Sequence, residues 1–143
     1  MAQKKVGLRK ILFICVGNSA RSIMAEAVMN HFGRGQYQAF SAGAKPSGQV
    51  NPLTIEILKA KGVPVDGLRS KLIEEFLDKD LDTVITVCDN ARESCPVWPG
   101  KTRVLHWNFP DPAAFKGTSK DKREFFDKIY EEIKRGILIF LAT

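Results

Sequence analysis

Apolar residues along the chain form two kinds of pattern, short continuous runs and longer segments with helical spacing. Four short runs predict strands, at residues 10–15, 37–41, 83–88 and 103–107. Segments with helical spacing lie between and after them. Strands that alternate with helices indicate an α/β fold, in which a parallel sheet with right-handed crossovers is covered on both faces. We therefore expect a three-layer sandwich around a parallel sheet.

Helices are predicted over residues 21–32, 51–62, 70–77 and 123–141. The second has the clearest boundaries, because Asn51 can cap it, Pro52 suits its first turn and Gly62 suits its end. The last carries an apolar stripe at helical spacing, which predicts that it packs on the sheet. The stripe comprises Phe126, Ile129, Ile133, Ile137 and Phe140.

The length of 143 residues and an apolar content of 44 % fit one domain over residues 1–143 with a single core. No run approaches the roughly 20 apolar residues of a membrane span, so we expect no membrane partner. Three cysteines, an odd number without a regular framework, argue against a secreted disulfide scaffold. We expect a cytoplasmic monomer with reduced thiols.

The net charge of +6 comes partly from two basic clusters, at residues 4–10 and 116–123. Such clusters are usually solvated surface, and no stacking-aromatic or groove-reading motif accompanies them. We therefore expect no nucleic-acid partner. An anionic small substrate suits the charge equally well.

The first strand is followed by a loop whose composition is typical of an anion site. The strand ends at Cys15 and the helix begins at Arg21. A loop that enters a helix presents free backbone N–H groups and the positive end of the helix dipole. Arg21 can donate two hydrogen bonds to a tetrahedral oxyanion. The predicted oxyanion-binding residues are Gly17, which allows a tight turn, Asn18, which tolerates left-handed geometry, Ser19, Ala20 and Arg21.

The same surroundings favour the thiolate form of Cys15, and the hydroxyl of Ser22 can donate a further hydrogen bond to it. We therefore interpret Cys15 as a nucleophile facing the anion. The alternative is a buried cysteine at a strand end beside a surface arginine. Cys88 also ends a predicted strand, so two thiols are expected at one edge of the sheet.

The motif "CVGNSARSIMAEA" resembles the phosphate-binding loop and first helix of the low-molecular-weight tyrosine phosphatase family. Four further stretches extend the resemblance to the branch of thiol-coupled arsenate reductases: "SAG" at 41–43, "NP" at 51–52, "VITVCDNARESCP" at 84–96 and "HWNFPDPA" at 106–113. The resemblance implies a flavodoxin-like fold with a central four-stranded parallel sheet. It also implies reduction of arsenate.

The resemblance assigns a role to each matching residue. Cys15 is implied to be the nucleophile, Arg21 the oxyanion clamp and Asp111 the general acid, with Cys88 and Cys95 as the second and third thiols of a relay. No bound cofactor is implied. Electrons would come from an external thiol reductant, either thioredoxin or glutaredoxin with glutathione. Read without the resemblance, Asp111 and Pro112 form an ordinary turn. Of Cys88 and Cys95, one would then be a core cysteine and the other an incidental surface cysteine, or both would bind zinc together with His106.

Two departures from the family pattern concern Ala20 and Lys71. Many relatives carry a cysteine at the position of Ala20, which the relay does not require. Some reductases hold potassium with residues matching Asn18, Glu26 and Ser41 plus an aspartate, and Lys71 stands at the place of that aspartate. An ammonium group there can supply the charge of the ion, so we expect no metal.

The last step of the implied relay requires a conformational change. Two residues seven apart on a helix are about 10.5 Å apart along its axis, whereas a disulfide needs Cα atoms about 4.4 to 6.8 Å apart. If residues 89–95 are helical when reduced, they must loop out on oxidation. Two other functions remain open: a phosphatase that uses Cys15, Arg21 and Asp111, and a non-enzymatic domain that binds an anion or a partner.

Overall fold

The computed structural model describes residues 7–88, 95–98 and 100–143 of the chain. Strands β1 (Arg9–Cys15), β2 (Tyr37–Gly43), β3 (Thr83–Thr86) and β4 (Arg103–His106) form one parallel sheet. Their order across the sheet is β2-β1-β3-β4. The helices are α1 (Arg21–Phe32), α2 (Pro52–Ala60) and α3 (Ser119–Ala142), and two 3₁₀ turns cover Ile73–Phe76 and Pro112–Ala114.

Strand β1 lies inside the sheet, and its apolar run is buried from both faces. Residues Ile11, Leu12, Phe13 and Ile14 are completely buried. This explains why the run is continuously apolar rather than alternating, as is usual for strands of parallel sheets. The four-stranded parallel α/β sheet predicted from the sequence is confirmed.

The two faces of the sheet are covered by different elements. Tyr37 and Phe40 point to opposite faces of β2, because they are an odd number of positions apart. The Tyr37 ring packs on Phe140 of α3, with ring centroids 5.7 Å apart. The Phe40 ring packs on Phe76 of the first 3₁₀ turn, with centroids 5.4 Å apart. The three helices contact one another on the first of these faces.

The helix predicted over residues 70–77 is wrong, since only Ile73–Phe76 forms a 3₁₀ turn there. The backbone before this turn is used elsewhere. The Lys71 N–H donates to Asn18 Oδ1, and the Lys71 carbonyl accepts from the Gly43 N–H at 2.8 Å. These bonds tie residue 71 to the loop after β1 and to the end of β2, so it cannot take part in a helix.

The remaining boundaries differ from the prediction by a few residues. Strand β3 ends at Thr86, so Cys88 lies two residues beyond it. Helix α3 begins at Ser119 rather than at residue 123, because Thr118 and Asp121 form a reciprocal capping box. Asn51 caps α2 as predicted, accepting the Leu53 N–H at 2.9 Å. Among the described residues, every helix is too short or too polar to cross a membrane.

The predicted helical switch over residues 89–95 lies almost entirely outside the described residues. It stays a prediction.

Candidate active site

The loop between β1 and α1 lies at the carboxyl edge of the sheet, where ligands bind in open α/β folds. Cys15 is the last residue of β1 and is 3 % exposed. Helix α1 begins at Arg21 with Ala20 at its N-cap position, and no side chain caps it. Because a helix N-terminus without a side-chain cap leaves N–H groups to be satisfied, this end of α1 suits an anion.

Asn18 fixes the shape of this loop. Its backbone is left-handed, with φ of 47°, a conformation that asparagine tolerates. Its side-chain amide donates to Ser22 Oγ at 2.8 Å and to Ser41 Oγ at 3.0 Å, and its Oδ1 accepts the Lys71 N–H at 2.6 Å. Gly17 does not adopt a left-handed backbone, so the turn depends on Asn18 rather than on the glycine.

The carbonyl groups of the loop are turned away from its centre by three sets of hydrogen bonds. The Val16 carbonyl accepts the Lys45 N–H at 3.0 Å, and the Gly17 carbonyl accepts the Ser47 N–H at 2.9 Å. The Ser19 carbonyl accepts from the Asn51 N–H and from Thr54 Oγ1, both at 3.0 Å. In a planar trans peptide the N–H points opposite to the carbonyl. The N–H groups of residues 17, 18 and 20 therefore face inward.

The Cys15 sulfur receives two of the inward hydrogen bonds. The Asn18 N–H donates to Cys15 Sγ at 3.2 Å, and Ser22 Oγ lies 2.8 Å from the same sulfur. Because Ser22 Oγ accepts from the Asn18 amide, its own hydrogen is available for the sulfur. Both donors stabilise an anionic sulfur. The structure thus brings Cys15 and Ser22 together as predicted from the sequence.

Arg21 and Asp111 meet at the mouth of the loop. Arg21 Nη1 donates to the Phe109 carbonyl at 3.0 Å, and Arg21 Nη2 lies 3.6 Å from Asp111 Oδ2. Asp111 is more exposed than Arg21, with 42 % of its side chain accessible against 14 %. Asp111 also caps the 3₁₀ turn at Pro112–Ala114 through the Ala113 N–H. The Asp111 carboxylate therefore both caps a turn and lies near the Arg21 guanidinium.

Cys88 follows β3 at the same edge of the sheet as Cys15. Ile14 pairs with Thr86, and the Val87 N–H donates to the Ile14 carbonyl at 2.9 Å, so hydrogen bonding between the two segments continues as far as Val87. Cys88, the next residue, lies in a bend beyond the strand. Cys88 is 3 % exposed and its thiol is free.

Cys95 is half-buried against the core, and its S–H donates to the Pro96 carbonyl at 3.6 Å. Burial raises the pKa of the Cys95 thiol, and the neighbouring Trp98 indole opposes that effect. The zinc interpretation of Cys88, Cys95 and His106 finds no support. His106 Nδ1 shares a hydrogen bond with Thr86 Oγ1 at 2.7 Å, and no group of three potential ligands exists among residues 7–88, 95–98 and 100–143.

A buried ion pair supports the loop from behind. Lys71 Nζ lies 3.4 Å from Glu26 Oε1, and Ser41 Oγ donates to the same carboxylate oxygen. Lys71 Nζ also donates to the Arg69 carbonyl. Burial raises the pKa of Glu26, an effect that Lys71 opposes. Burial likewise lowers the pKa of Lys71, and Glu26 opposes this shift.

Two residues that support the loop were not predicted to do so. A Cβ atom on Gly43 would lie 2.4 Å from the Val16 carbonyl oxygen, so only glycine lets β2 end against the loop. Thr54 is completely buried in the first turn of α2 and donates to the Ser19 carbonyl. The glycine was visible only as part of "SAG". A threonine in a first helical turn gave no separate signal.

The chain matches the family model described as low molecular weight phosphotyrosine protein phosphatase over residues 10–143. It is 33 % identical to an arsenate reductase of Bacillus subtilis over 133 residues, covering 93 % of this chain and 95 % of the relative. A solved arsenate reductase in a phosphate-binding state superimposes with a TM-score of 0.75 at 28 % identity, covering 94 % of this chain and 98 % of that one. A thioredoxin-dependent arsenate reductase of Corynebacterium glutamicum superimposes with a TM-score of 0.67 at 29 % identity, covering 94 % of this chain and 63 % of that one.

Proposed function

The chain belongs to the low molecular weight phosphotyrosine protein phosphatase family, and from that premise we propose that it is an enzyme that reduces arsenate to arsenite. The single observation that carries this proposal is a pair of buried thiols that follow adjacent strands at the same edge of the sheet, Cys15 at the end of β1 and Cys88 two residues after β3. A phosphatase of this type needs one thiol. Reduction by two electrons needs a dithiol that can close to a disulfide.

In the first step the loop binds arsenate and the Cys15 thiolate attacks arsenic. The inward N–H groups and the Arg21 guanidinium bind the oxygens of the anion. Asp111, near Arg21 at the mouth, donates a proton to the departing hydroxide, which leaves as water. The product is an adduct between Cys15 sulfur and pentavalent arsenic.

The second and third thiols complete the reduction. The Cys88 thiolate attacks the Cys15 sulfur, the sulfur–arsenic bond breaks, and its electron pair stays on arsenic, which leaves as arsenite. Cys95 then attacks Cys88, which releases Cys15 as a thiolate and forms a Cys88–Cys95 disulfide. An external dithiol reductant, thioredoxin or glutaredoxin with glutathione, returns that disulfide to two thiols. Three free thiols fit a reducing compartment such as the cytoplasm.

The test compares two activities in three proteins. The native protein should oxidise NADPH in an arsenate-dependent way with thioredoxin and thioredoxin reductase, and should hydrolyse p-nitrophenyl phosphate weakly. Cys88→Ser should abolish the first activity and keep the second, whereas Cys15→Ser should abolish both. Arsenate reduction that persists in Cys88→Ser would overturn the relay. Replacing thioredoxin by glutaredoxin and glutathione identifies the donor.

Hydrolysis of phosphate esters is the second candidate function. It is favoured by the arrangement of Cys15, Arg21 and Asp111. These three groups suffice to form a phosphocysteine and to protonate the alcohol that leaves. If the native protein hydrolyses phosphate esters and does not reduce arsenate with either donor, this second function is the correct one. If it does neither, an anion-binding domain remains.

A further inference from the structure

The indole N–H of Trp98 is a buried hydrogen-bond donor to which the proposed thiol relay assigns no function. Trp98 is 8 % exposed, and its Nε1 atom makes no hydrogen bond of normal geometry. Buried N–H groups are nearly always paired, so one without a partner calls for a specific explanation. Trp98 lies three residues after Cys95, and its indole is close enough to that thiol to influence its ionisation.

The hydrogen bonding of Cys95 shows which state of the sulfur the indole suits. As a neutral thiol, Cys95 directs its S–H toward the Pro96 carbonyl at 3.6 Å, and the indole donor stays without a partner. As a thiolate, the sulfur has no proton to donate and repels the carbonyl oxygen. It then needs a donor, and an indole can only donate. The unpaired N–H of Trp98 is therefore complementary to the ionised sulfur.

We propose that Trp98 is a positioning residue for the third thiol, its indole N–H binding the Cys95 sulfur when that sulfur is a thiolate and holding it ready to attack Cys88. This inference rests on the relay proposed above. In the step concerned, the Cys95–Cys88 bond forms, the Cys15–Cys88 bond breaks, and the electron pair of the broken bond leaves on the Cys15 sulfur. The proton of Cys95 has gone to solvent beforehand, so no oxidant or reductant is consumed.

The indole is important here because no charged side chain among the described residues assists the Cys95 thiolate. Burial and the Trp98 indole are the two influences on the pKa of Cys95 that the described residues provide, and no charged side chain is among them. Burial raises that pKa and the indole lowers it. Loss of the indole N–H should therefore raise the pKa of Cys95, because the indole no longer opposes the effect of burial.

The first experiment measures the Cys95 thiol by itself. In a Cys15→Ser/Cys88→Ser background, the rate of alkylation by iodoacetamide is followed against pH. Trp98→Phe should move the midpoint upward by about one pH unit, since a hydrogen bond to a charged group is lost. Trp107→Phe is the matched control, because it makes the same change in an indole that packs on Phe13, Phe109 and Phe140, and it should leave the midpoint in place. Equal midpoints in all three proteins would overturn the inference.

A second measurement needs no substitution at Trp98 and covers the case in which the phenylalanine variant does not fold. In the same double-serine background, the Trp98 indole N–H resonance should shift downfield with the midpoint of the Cys95 titration. The Trp107→Phe spectrum assigns it by elimination. An indole chemical shift that does not change as Cys95 titrates would contradict the proposal.

The third measurement separates this inference from the relay itself. With all cysteines present, the rate of Cys88–Cys95 disulfide formation after one turnover of arsenate is measured against pH. The rate should begin to fall at a higher pH in Trp98→Phe than in the native protein, and the two rates should be equal at high pH. Hydrolysis of p-nitrophenyl phosphate should be unchanged. If the native protein forms no disulfide with arsenate, the relay has failed, and the alkylation midpoint still decides whether Trp98 acts on Cys95.

Discussion

Lys71 Nζ lies 3.4 Å from Glu26 Oε1 in a pair whose side chains are only 6 % and 13 % exposed. Ser41 donates to the same carboxylate and accepts from Asn18, the left-handed residue of the loop. The backbone N–H of Lys71 binds Asn18 as well. The ion pair is thus the buried end of a hydrogen-bonded chain that reaches the loop after β1.

Removing one member of this pair should destabilise the protein strongly. Lys71→Met leaves the Glu26 carboxylate buried without its counter-charge, which costs about 3 to 5 kcal/mol. The double variant Glu26→Gln/Lys71→Met should recover most of that loss, because it removes both charges. Urea unfolding at pH 7 measures the free energies. A Lys71→Met variant within about 1 kcal/mol of the native protein would show that the pair is not coupled.

The pair should also make stability depend on pH in a defined direction. The pKa of Glu26 is raised above its ordinary value of 4.5, so between 4.5 and the folded value the native state binds more protons than the unfolded state. Its contribution to stability is therefore greatest below pH 4.5 and is lost as the pH rises through that window. The difference in unfolding free energy between the native protein and Glu26→Gln should fall with rising pH. Parallel curves would contradict this assignment.

Lys71 contributes with the opposite sign in alkaline solution. Its pKa is lowered from 10.5, so between the folded value and 10.5 the unfolded state binds more protons, and stability rises with pH across that interval. The combined contribution of Glu26 and Lys71 to stability is therefore lowest at pH values between the Glu26 interval and the Lys71 interval.

The sequence predicted the strands and the loop between β1 and α1 well because both depend on local signals. The continuous run at β1 and the change from Cys15 to small residues were each visible within ten positions. The helix expected at 70–77 failed because the Lys71 backbone binds Asn18, 53 residues away, and no local pattern encodes that contact. The supporting role of Gly43 was hidden for the same reason. It depends on the approach of the Val16 carbonyl, which lies in the loop after β1.

Gly43→Ala should distort the loop without abolishing the fold. The new methyl would lie 2.4 Å from the Val16 oxygen and 3.1 Å from Asn18, so the backbone must move, at a cost of about 1 to 3 kcal/mol. We expect phosphate binding, measured by calorimetry, to weaken at least about tenfold. Gly7→Ala is the matched control, since nothing lies within 4 Å of its Cβ position. Equal phosphate affinity in the two variants would contradict this account.

Asp111→Asn should affect the chemical step more than binding. The carboxyl group near Arg21 is assigned as the acid that protonates the leaving group, a contribution of about 10² to 10⁴ in rate. Hydrolysis of p-nitrophenyl phosphate should slow accordingly, whereas the ester of 2,4-dinitrophenol, which leaves without a proton, should be affected much less. Phosphate affinity should not fall, because a negative charge beside the anion site has been removed. Equal rate losses with both esters would exclude Asp111 as the acid.

Thr54→Val tests whether the outward hydrogen bonds of the loop carbonyls orient its inward N–H groups. Valine keeps the shape of threonine but removes the hydroxyl that donates to the Ser19 carbonyl at 3.0 Å. The Asn51 N–H still binds that carbonyl, so no polar group is left unpaired and the protein should lose only about 1 kcal/mol of stability. The peptide between Ser19 and Ala20 is then held by one bond instead of two, and its N–H should be less well directed at the anion. We expect phosphate affinity to fall about fivefold, an effect of about 1 kcal/mol. Thr54→Ser retains the hydroxyl and should restore the affinity. If the valine variant binds phosphate as the native protein does while the serine variant binds it more weakly, packing by the threonine methyl group is what the loop requires.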